Sequence, residues 1–409
     1  MATLFEDLNP PHRILMGPGP VGIDPRVLRA MSMPMLGQFD PVFTTYMNET
    51  MELYRQVFQT KNKWTFLVDG SARAGAEMLL VSLISPGDKV LVPVFGRFGH
   101  LLAEIARRCR AEVVEISREW GTVFTTAELT AAIEQHKPKI LAIVHGDTST
   151  TMAQPLDGIG EVCRKHGVLV YADATATLGG MNVDVDGWKL DAVSAGLQKC
   201  MSGPPGSAPV TVNERVAELV KRRKHVEAGI KPAGFVEGDG PIIQSNYFDL
   251  AMLMDYWGDS RLNHHTEAAT MLYGAREAAR VVLMEGLEPC FARHRQASAA
   301  LTAGLTAMGL KLFGDQAHKM PNVTGVVIPQ GVDPDGVRRM MLDNFSIEIG
   351  TSFGPLHGKI WRIGTMGYVC RKENVLACLD ALEACLRKFG FNAPAGAGVA
   401  AAQAAYAGK

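Results

Sequence analysis

Three places in this 409-residue chain carry side chains whose type and setting could do chemistry. The first is the turn Asp69-Gly70-Ser71-Ala72-Arg73-Ala74-Gly75, which follows a strand-like run and opens a helical one. Free backbone N–H groups at a helix start, a serine hydroxyl and an arginine together make a phosphate cradle. The same residues also suit a helix capped by Ser71 with Arg73 in solvent, and the G-K-[ST] ending of a Walker loop is missing. The second is Asp173, which closes the hydrophobic run Val170-Tyr171-Ala172-Asp173. A carboxylate at such a strand end can ligate a metal, act as an acid, pair with a ring nitrogen or cap the next segment. The third is Lys199, in Ser194-Ala195-Gly196-Leu197-Gln198-Lys199-Cys200-Met201-Ser202-Gly203-Pro204-Pro205-Gly206. Most lysines are surface residues; this one directly follows a small-residue strand and precedes a Pro/Gly turn.

Another stretch imitates a nucleotide site. Gly17-Pro18-Gly19-Pro20-Val21-Gly22 fits G-x-G-x-x-G, the dinucleotide fingerprint. Its two prolines remove N–H groups that a pyrophosphate would need, and no strand precedes it. It reads as a structural turn.

These residues need a scaffold, and the sequence supplies an α/β one. Trp64-Thr65-Phe66-Leu67-Val68, Lys89-Val90-Leu91-Val92-Pro93-Val94, Glu112-Val113-Val114-Glu115-Ile116, Ile140-Leu141-Ala142-Ile143-Val144, Val168-Leu169-Val170-Tyr171, Ala192-Val193-Ser194 and Pro209-Val210-Thr211-Val212 read as strands. Helical periodicity lies between several of them, at 98–108 and 126–136. Apolar strands joined by helical crossovers mean a mainly parallel seven-stranded sheet flanked by helices, with ligands at the carboxyl ends of the strands. A long helical pattern at 266–286 leads into a smaller α+β region. The division expected is an N-terminal arm at 1–22, a large domain at 23–283, a small domain at 284–392, and an Ala/Gly-rich disordered tail at 393–409.

Composition narrows the function classes. Hydrophobic residues make up 47% and charged residues 20%, enough to bury a large core. The 41 basic and 42 acidic side chains leave a net charge of −1, which gives no electrostatic footprint for nucleic acid. No apolar run is long enough to span a membrane, and the acidic opening Met1-Ala2-Thr3-Leu4-Phe5-Glu6-Asp7-Leu8 has no signal-peptide pattern. Seven scattered cysteines without a C-x-x-C pair suit reduced thiols in the cytoplasm, not a structural metal. The paired His264 and His265 are not expected to share an ion, because neighbours on a regular element face apart.

A phosphate turn, a strand-end aspartate and then a lysine after the next strand is an order found in pyridoxal phosphate enzymes. With Gln154-Pro155-Leu156-Asp157-Gly158, Leu178-Gly179-Gly180, Gln198-Lys199 before Pro204-Pro205-Gly206, and Trp361-Arg362-Ile363-Gly364, the chain resembles a class V, fold-type I aminotransferase of the alanine–glyoxylate group. The resemblance runs from Met16 to Gly364.

It implies pyridoxal 5'-phosphate as cofactor, held covalently by Lys199, which would also carry the substrate's proton. Asp173 would keep the pyridine nitrogen protonated so that the ring accepts electrons. Phe98 would stack on the ring, while Phe95 belongs to the core. Ser71, Ala72, Arg73 and Gln198 would hold the phosphate, though relatives often have histidine at Arg73. Ser149, in His145-Gly146-Asp147-Thr148-Ser149-Thr150, would reach the 3-oxygen side. Thr266 would approach the phosphate of a neighbouring subunit in a homodimer. Arg362 would bind the substrate carboxylate through its planar fork.

Two positions depart from the group. Animal alanine–glyoxylate enzymes carry tyrosine where this chain has Asn263, and a small residue near Gln38. Two primary amides add donors and acceptors that an apolar amino acid would not use but a ureido group would. The pair resembles the branch that moves the amino group of (S)-ureidoglycine to glyoxylate in purine (allantoin) breakdown, giving oxalurate and glycine by a ping-pong cycle. Each amide also has a plain reading, Gln38 as a turn residue and Asn263 as a helix N-cap. The alternative activity is alanine– or serine–glyoxylate transamination.

Overall fold

The computed structural model describes residues 5–408; the first four residues of the acidic opening and Lys409 lie outside the described residues. The seven expected strands form one sheet: β1 (Trp64–Asp69), β2 (Lys89–Val94), β3 (Glu112–Ser117), β4 (Ile140–Val144), β5 (Leu169–Asp173), β6 (Ala192–Ser194) and β7 (Ser207–Val212). Their spatial order is β1-β7-β6-β5-β4-β2-β3. β7 is antiparallel to both neighbours and every other pairing is parallel. β4 and β5 are buried at every position, which is why they read as unbroken apolar runs and not as alternating ones.

Helices α1 (Ala72–Leu83) and α2 (Arg97–Arg108) begin just past the carboxyl ends of β1 and β2. Their unpaired N-terminal amides therefore open on the edge where Asp173 ends β5 and the chain leaves β6 toward Lys199. The helix Pro41–Val57, unremarked in the sequence, starts on an Asp40 cap with proline in its first turn.

α3 (Ala269–Glu285) and α4 (Leu287–Ala307) meet at Gly286, whose φ of 89° turns the chain between them. Two apolar cores lie on either side of this junction. The larger runs from Phe43 to Val282 around the sheet; the smaller gathers α4, the small sheet and α5 (Lys372–Lys388). The small sheet has the order β8 (Val323–Val327), β10 (Ile360–Gly364), β9 (Gly350–Thr351).

The N-terminal arm belongs to both halves. Ile14 and Leu15 pair in parallel with Ile347 and Glu348, and Met16 and Val21 lie in the smaller core. From there the arm runs on to the Lys199 loop, with Val21 N donating to Gln198 O at 3.1 Å and Asp24 N to Ser202 O at 3.2 Å.

The expected disorder of the tail is corrected. Residues 397–406 form a helix, α6 (Ala397–Tyr406), seated on α4. Alanine has the highest helix propensity, so the run needs no large apolar stripe to coil. Its small side chains allow a close seat, with Ala402 fully buried and Gly398 buried against Met308 and Gly304. Both carboxylate oxygens of Glu383 accept from Gly396 N at 3.0 Å and anchor the entry to the helix.

Candidate active site

A cleft at the carboxyl edge of the sheet is lined by Ser71, Ala72, Arg73, Phe98, Thr148, Asp173, Gln198 and Lys199, among others. Residues far apart in sequence thus meet where the strand ends converge. Ser71 is the N-cap of α1 yet makes no capping bond with its side chain, so its hydroxyl and the helix's first amides are available to an anion. The plain reading of Ser71 as a capping side chain is not what the structure shows.

Lys199 is 8% exposed. Burial, with the Arg362 charge adding to it, lowers its pKa to about 8, so neutral amine is accessible near neutral pH. Its Nζ donates to the carbonyl of Pro18. The proline-filled turn that imitates a nucleotide fingerprint is therefore a wall of this site. A Cβ on Gly19 would lie 2.7 Å from Lys199 Nζ and push the lysine aside, and the φ of +92° there itself favours glycine.

Asp173 is buried, and Thr175 N donates to its Oδ1 at 2.9 Å. Burial raises its pKa, and nearby Asp147 raises it further against the opposing hydrogen bond and Lys199 charge. Such a carboxylate gains from a cationic N–H partner.

Asp147 was missed as an individual site residue. It is fully buried, accepting from Phe98 N at 2.9 Å, Ser149 N at 2.9 Å and Ser149 Oγ at 2.6 Å. Gly96 makes room for it, since a Cβ there would come within 2.7 Å of Oδ1. The signal was a strand-end acid just past β4, the same signal that picked out Asp173.

Ser149 is turned away from the cleft: its hydroxyl donates to Asp147 and accepts from Arg97 N at 2.9 Å. Its neighbour Thr148 lines the cleft in its place. Through Asp147 and Arg97, Ser149 fixes the start of α2 and so the backbone that carries Phe98. Phe95 is fully buried in the larger core, as expected.

Arg362 on β10 is 4% exposed. Nε donates to Thr351 O at 2.6 Å and Nη1 to Thr148 O at 2.9 Å, which leaves Nη2 for a ligand. Burial brings its pKa down to about 10, against the pull of Asp147, so it remains cationic. Phe353 packs against this guanidinium at 4.8 Å and against that of Arg97 at 4.4 Å.

The donor set suits a flat, phosphorylated pyridine aldehyde. Ser71 has an uncommitted hydroxyl beside the first amides of α1, and Arg73, Gln198, Asp173 and Lys199 line the same cleft.

Three expected residues lie elsewhere. Gln38 Nε2 donates to Asn263 Oδ1 at 3.0 Å, so the two amides are brought together. They and Thr266 do not line this chain's cleft, and Asn263 and Thr266 are exposed. Asn263 is not a helix cap, because α3 starts only at Ala269.

Comparison with known proteins agrees with this geometry. The model of the Aminotransferase class-V family matches residues 29–371. The (S)-ureidoglycine–glyoxylate transaminase of Bacillus subtilis is 56% identical over 98% of this chain and 97% of its own length. The alanine–glyoxylate aminotransferase of Mus musculus is 36% identical over 94% and 90%. The crystal structure of ureidoglycine–glyoxylate aminotransferase from Bacillus subtilis superposes with a TM-score of 0.93 at 54% identity, covering 98% of this chain and all of that one. Sheet order, strand-end acids, the Lys199 loop and these likenesses agree: the chain belongs to the class-V aminotransferases, a pyridoxal phosphate-dependent family of fold type I.

Proposed function

We propose that the enzyme transfers the amino group of (S)-ureidoglycine to glyoxylate, giving oxalurate and glycine, in the cytoplasmic breakdown of purines. The observation that carries this reading is the Gln38–Asn263 amide pair. Gln38 Oε1 is buried without a partner, so the pair presents both donor and acceptor capacity beyond its own hydrogen bond. A ureido group needs both. The identity to the Bacillus subtilis ureidoglycine enzyme supports the same choice. Alanine– or serine–glyoxylate transamination is the second reading, favoured by the Mus musculus likeness.

Pyridoxal phosphate, when bound, supplies an aldehyde to receive the amino group and a ring to accept the electrons of the broken C–H bond. Lys199 would hold it covalently and move the proton from the substrate carbon, a role its depressed pKa suits. Asp173 would hold a proton on the ring nitrogen. Ser71, Gln198 and the first amides of α1, with Arg73 at the rim, would bind the phosphate. Phe98 would cover the ring, and Asp147 keeps Phe98's backbone in place. Arg362 would meet the carboxylate of donor and acceptor alike, so one binding group serves both halves of a ping-pong cycle.

The outward position of Asn263 and Thr266 supports a homodimer in which each chain completes its partner's site. So does the exposed apolar set Met33, Met35, Phe39 and Val42 beside Gln38. All seven cysteines are free, in keeping with a reducing compartment.

Replacing Asn263 with tyrosine tests the substrate. An unpaired ureido group in a closed site costs about 1–3 kcal/mol, so Asn263→Tyr should lower ureidoglycine turnover relative to alanine by about tenfold to a hundredfold. Gln38→Ala should act in the same direction. Equal loss with both donors would return the assignment to a general glyoxylate aminotransferase.

A further inference from the structure

Outside the cleft, Asp69 at the end of β1 faces His265 and Glu267 from the segment before α3. One ligand-type atom from each lies within 4.8 Å of the others. His265 Nε2 is 3.4 Å from Asp69 Oδ2 and 3.5 Å from a Glu267 oxygen.

The hydrogen bonds around His265 define its lone pair. Asn246 O can only accept, so His264 Nε2 donates to it at 3.2 Å and His264 Nδ1 is bare in the neutral ring. That bare atom accepts from His265 Nδ1 at 2.8 Å. Neutral His265 therefore turns the lone pair of Nε2 toward two carboxylates. Three electron-rich atoms facing one another in a buried place need a cation between them, either a proton or a metal ion.

The distances suit a metal ion. A proton on Nε2 shared with a carboxylate draws the heavy atoms to about 2.7–2.9 Å, closer than either contact here. Two ligands about 2.1 Å from a tetrahedral ion stand about 3.4 Å apart. Glu267 adds a second sign: it is 6% exposed, and beyond the 3.5 Å contact with His265 neither carboxylate oxygen has a hydrogen-bond partner. Asp69 Oδ1 and the Tyr256 hydroxyl are also buried without partners. Tyr256 packs its ring against His265 at 4.8 Å. Asp69 Oδ2 also accepts from Ala268 N at 3.1 Å, a bond of the kind that orients a ligand.

We propose that Asp69, His265 and Glu267 bind one divalent transition-metal ion, with zinc or manganese matching the one-nitrogen, two-carboxylate donor set. The sequence offered the two histidines as a pair; the fold instead uses one of them, with His264 behind it. The ion fastens the segment carrying Asn263 and Thr266 to the strand that leads into the phosphate turn.

The test is metal content, which is independent of the amino donor used. Holoenzyme stripped with chelator and dialysed against zinc or manganese should retain one equivalent per chain through gel filtration, and its melting temperature should rise with metal. His265→Ala and Glu267→Gln should each retain one equivalent less than wild type. A wild-type protein that retains no metal and melts unchanged overturns the proposal, whether or not the variants fold. So does equal retention by wild type and folded variants; the cluster is then a protonated ion triad.

Discussion

The lysine centre and the segment 263–267 are built on opposite plans. Around Lys199, two cations and two anions (Lys199, Arg362, Asp147 and Asp173) are buried, each hydrogen-bonded within this chain. Their charges balance, which is how ionised groups persist away from water. In the other region, the residues expected to read substrate and phosphate stand outward, while the groups behind them, His265 and Glu267, are packed in. The groups proposed to make and break bonds are thus brought together by folding one chain, whereas those proposed to set selectivity face outward from it. The two can be altered separately.

The largest effect should follow from Lys199→Ala, with transamination falling by about 10⁴-fold as proton transfer and covalent attachment are lost together. Borohydride reduction of the wild-type holoenzyme and peptide mass mapping should place the pyridoxyl group on Lys199; an adduct on another lysine would break the comparison at its root. Asp173→Asn should cost about a hundredfold or more, on the scale of losing one buried charge-assisted contact, while cofactor still binds. Normal turnover by that variant would make Asp173 only a cap.

Gly19→Ala asks whether the arm belongs to the lysine centre. Overpacking against Lys199 should weaken cofactor binding or turnover by about tenfold to a hundredfold, equivalent to about 1–3 kcal/mol, with the far-ultraviolet spectrum unchanged. An unaffected enzyme would detach the arm from the chemistry. Mixing Lys199→Ala with Thr266→Ala protomers gives the smallest signal: random pairing into two-fold dimers restores about one quarter of the sites if these residues come from different chains. No recovery after proven exchange would make each site the product of one chain.

What the sequence made legible follows physical lines. Lys199, Asp173 and the Ser71 turn stood out because each interrupts or closes an apolar strand, and a polar group there must serve a purpose or find a partner. Arg362 lies within a buried strand and was legible through family resemblance. Asp147 was harder, since it lies two residues past the one that follows β4 and its partners are two backbone amides and the nearby Ser149 hydroxyl. The Pro18 carbonyl has no side-chain signature at all. Ser149 and Thr148 were adjacent hydroxyls, and only the fold decides which faces the cleft. The Asp69–His265–Glu267 cluster depends on a long-range meeting that no local spacing encodes. The tail helix escaped because small residues can pack closely without the large apolar stripe that periodicity detects.

The path of the arm also bears on the order in which the enzyme is made. Its residues leave the ribosome well before their partners do: Ile14 N donates to Ser346 O at 2.8 Å, and Gly364 N donates to Met16 O at 2.7 Å. A nascent chain that has just finished β7 already owns the sheet, the phosphate turn and Lys199. It still lacks the surface that brings the Pro18 carbonyl over the lysine. Long-range contacts of this kind are the last to be satisfied during folding. Translation therefore leaves the lysine uncovered until the segment from Ser346 to Gly364 has been made, and the arm docks long after it has been synthesised.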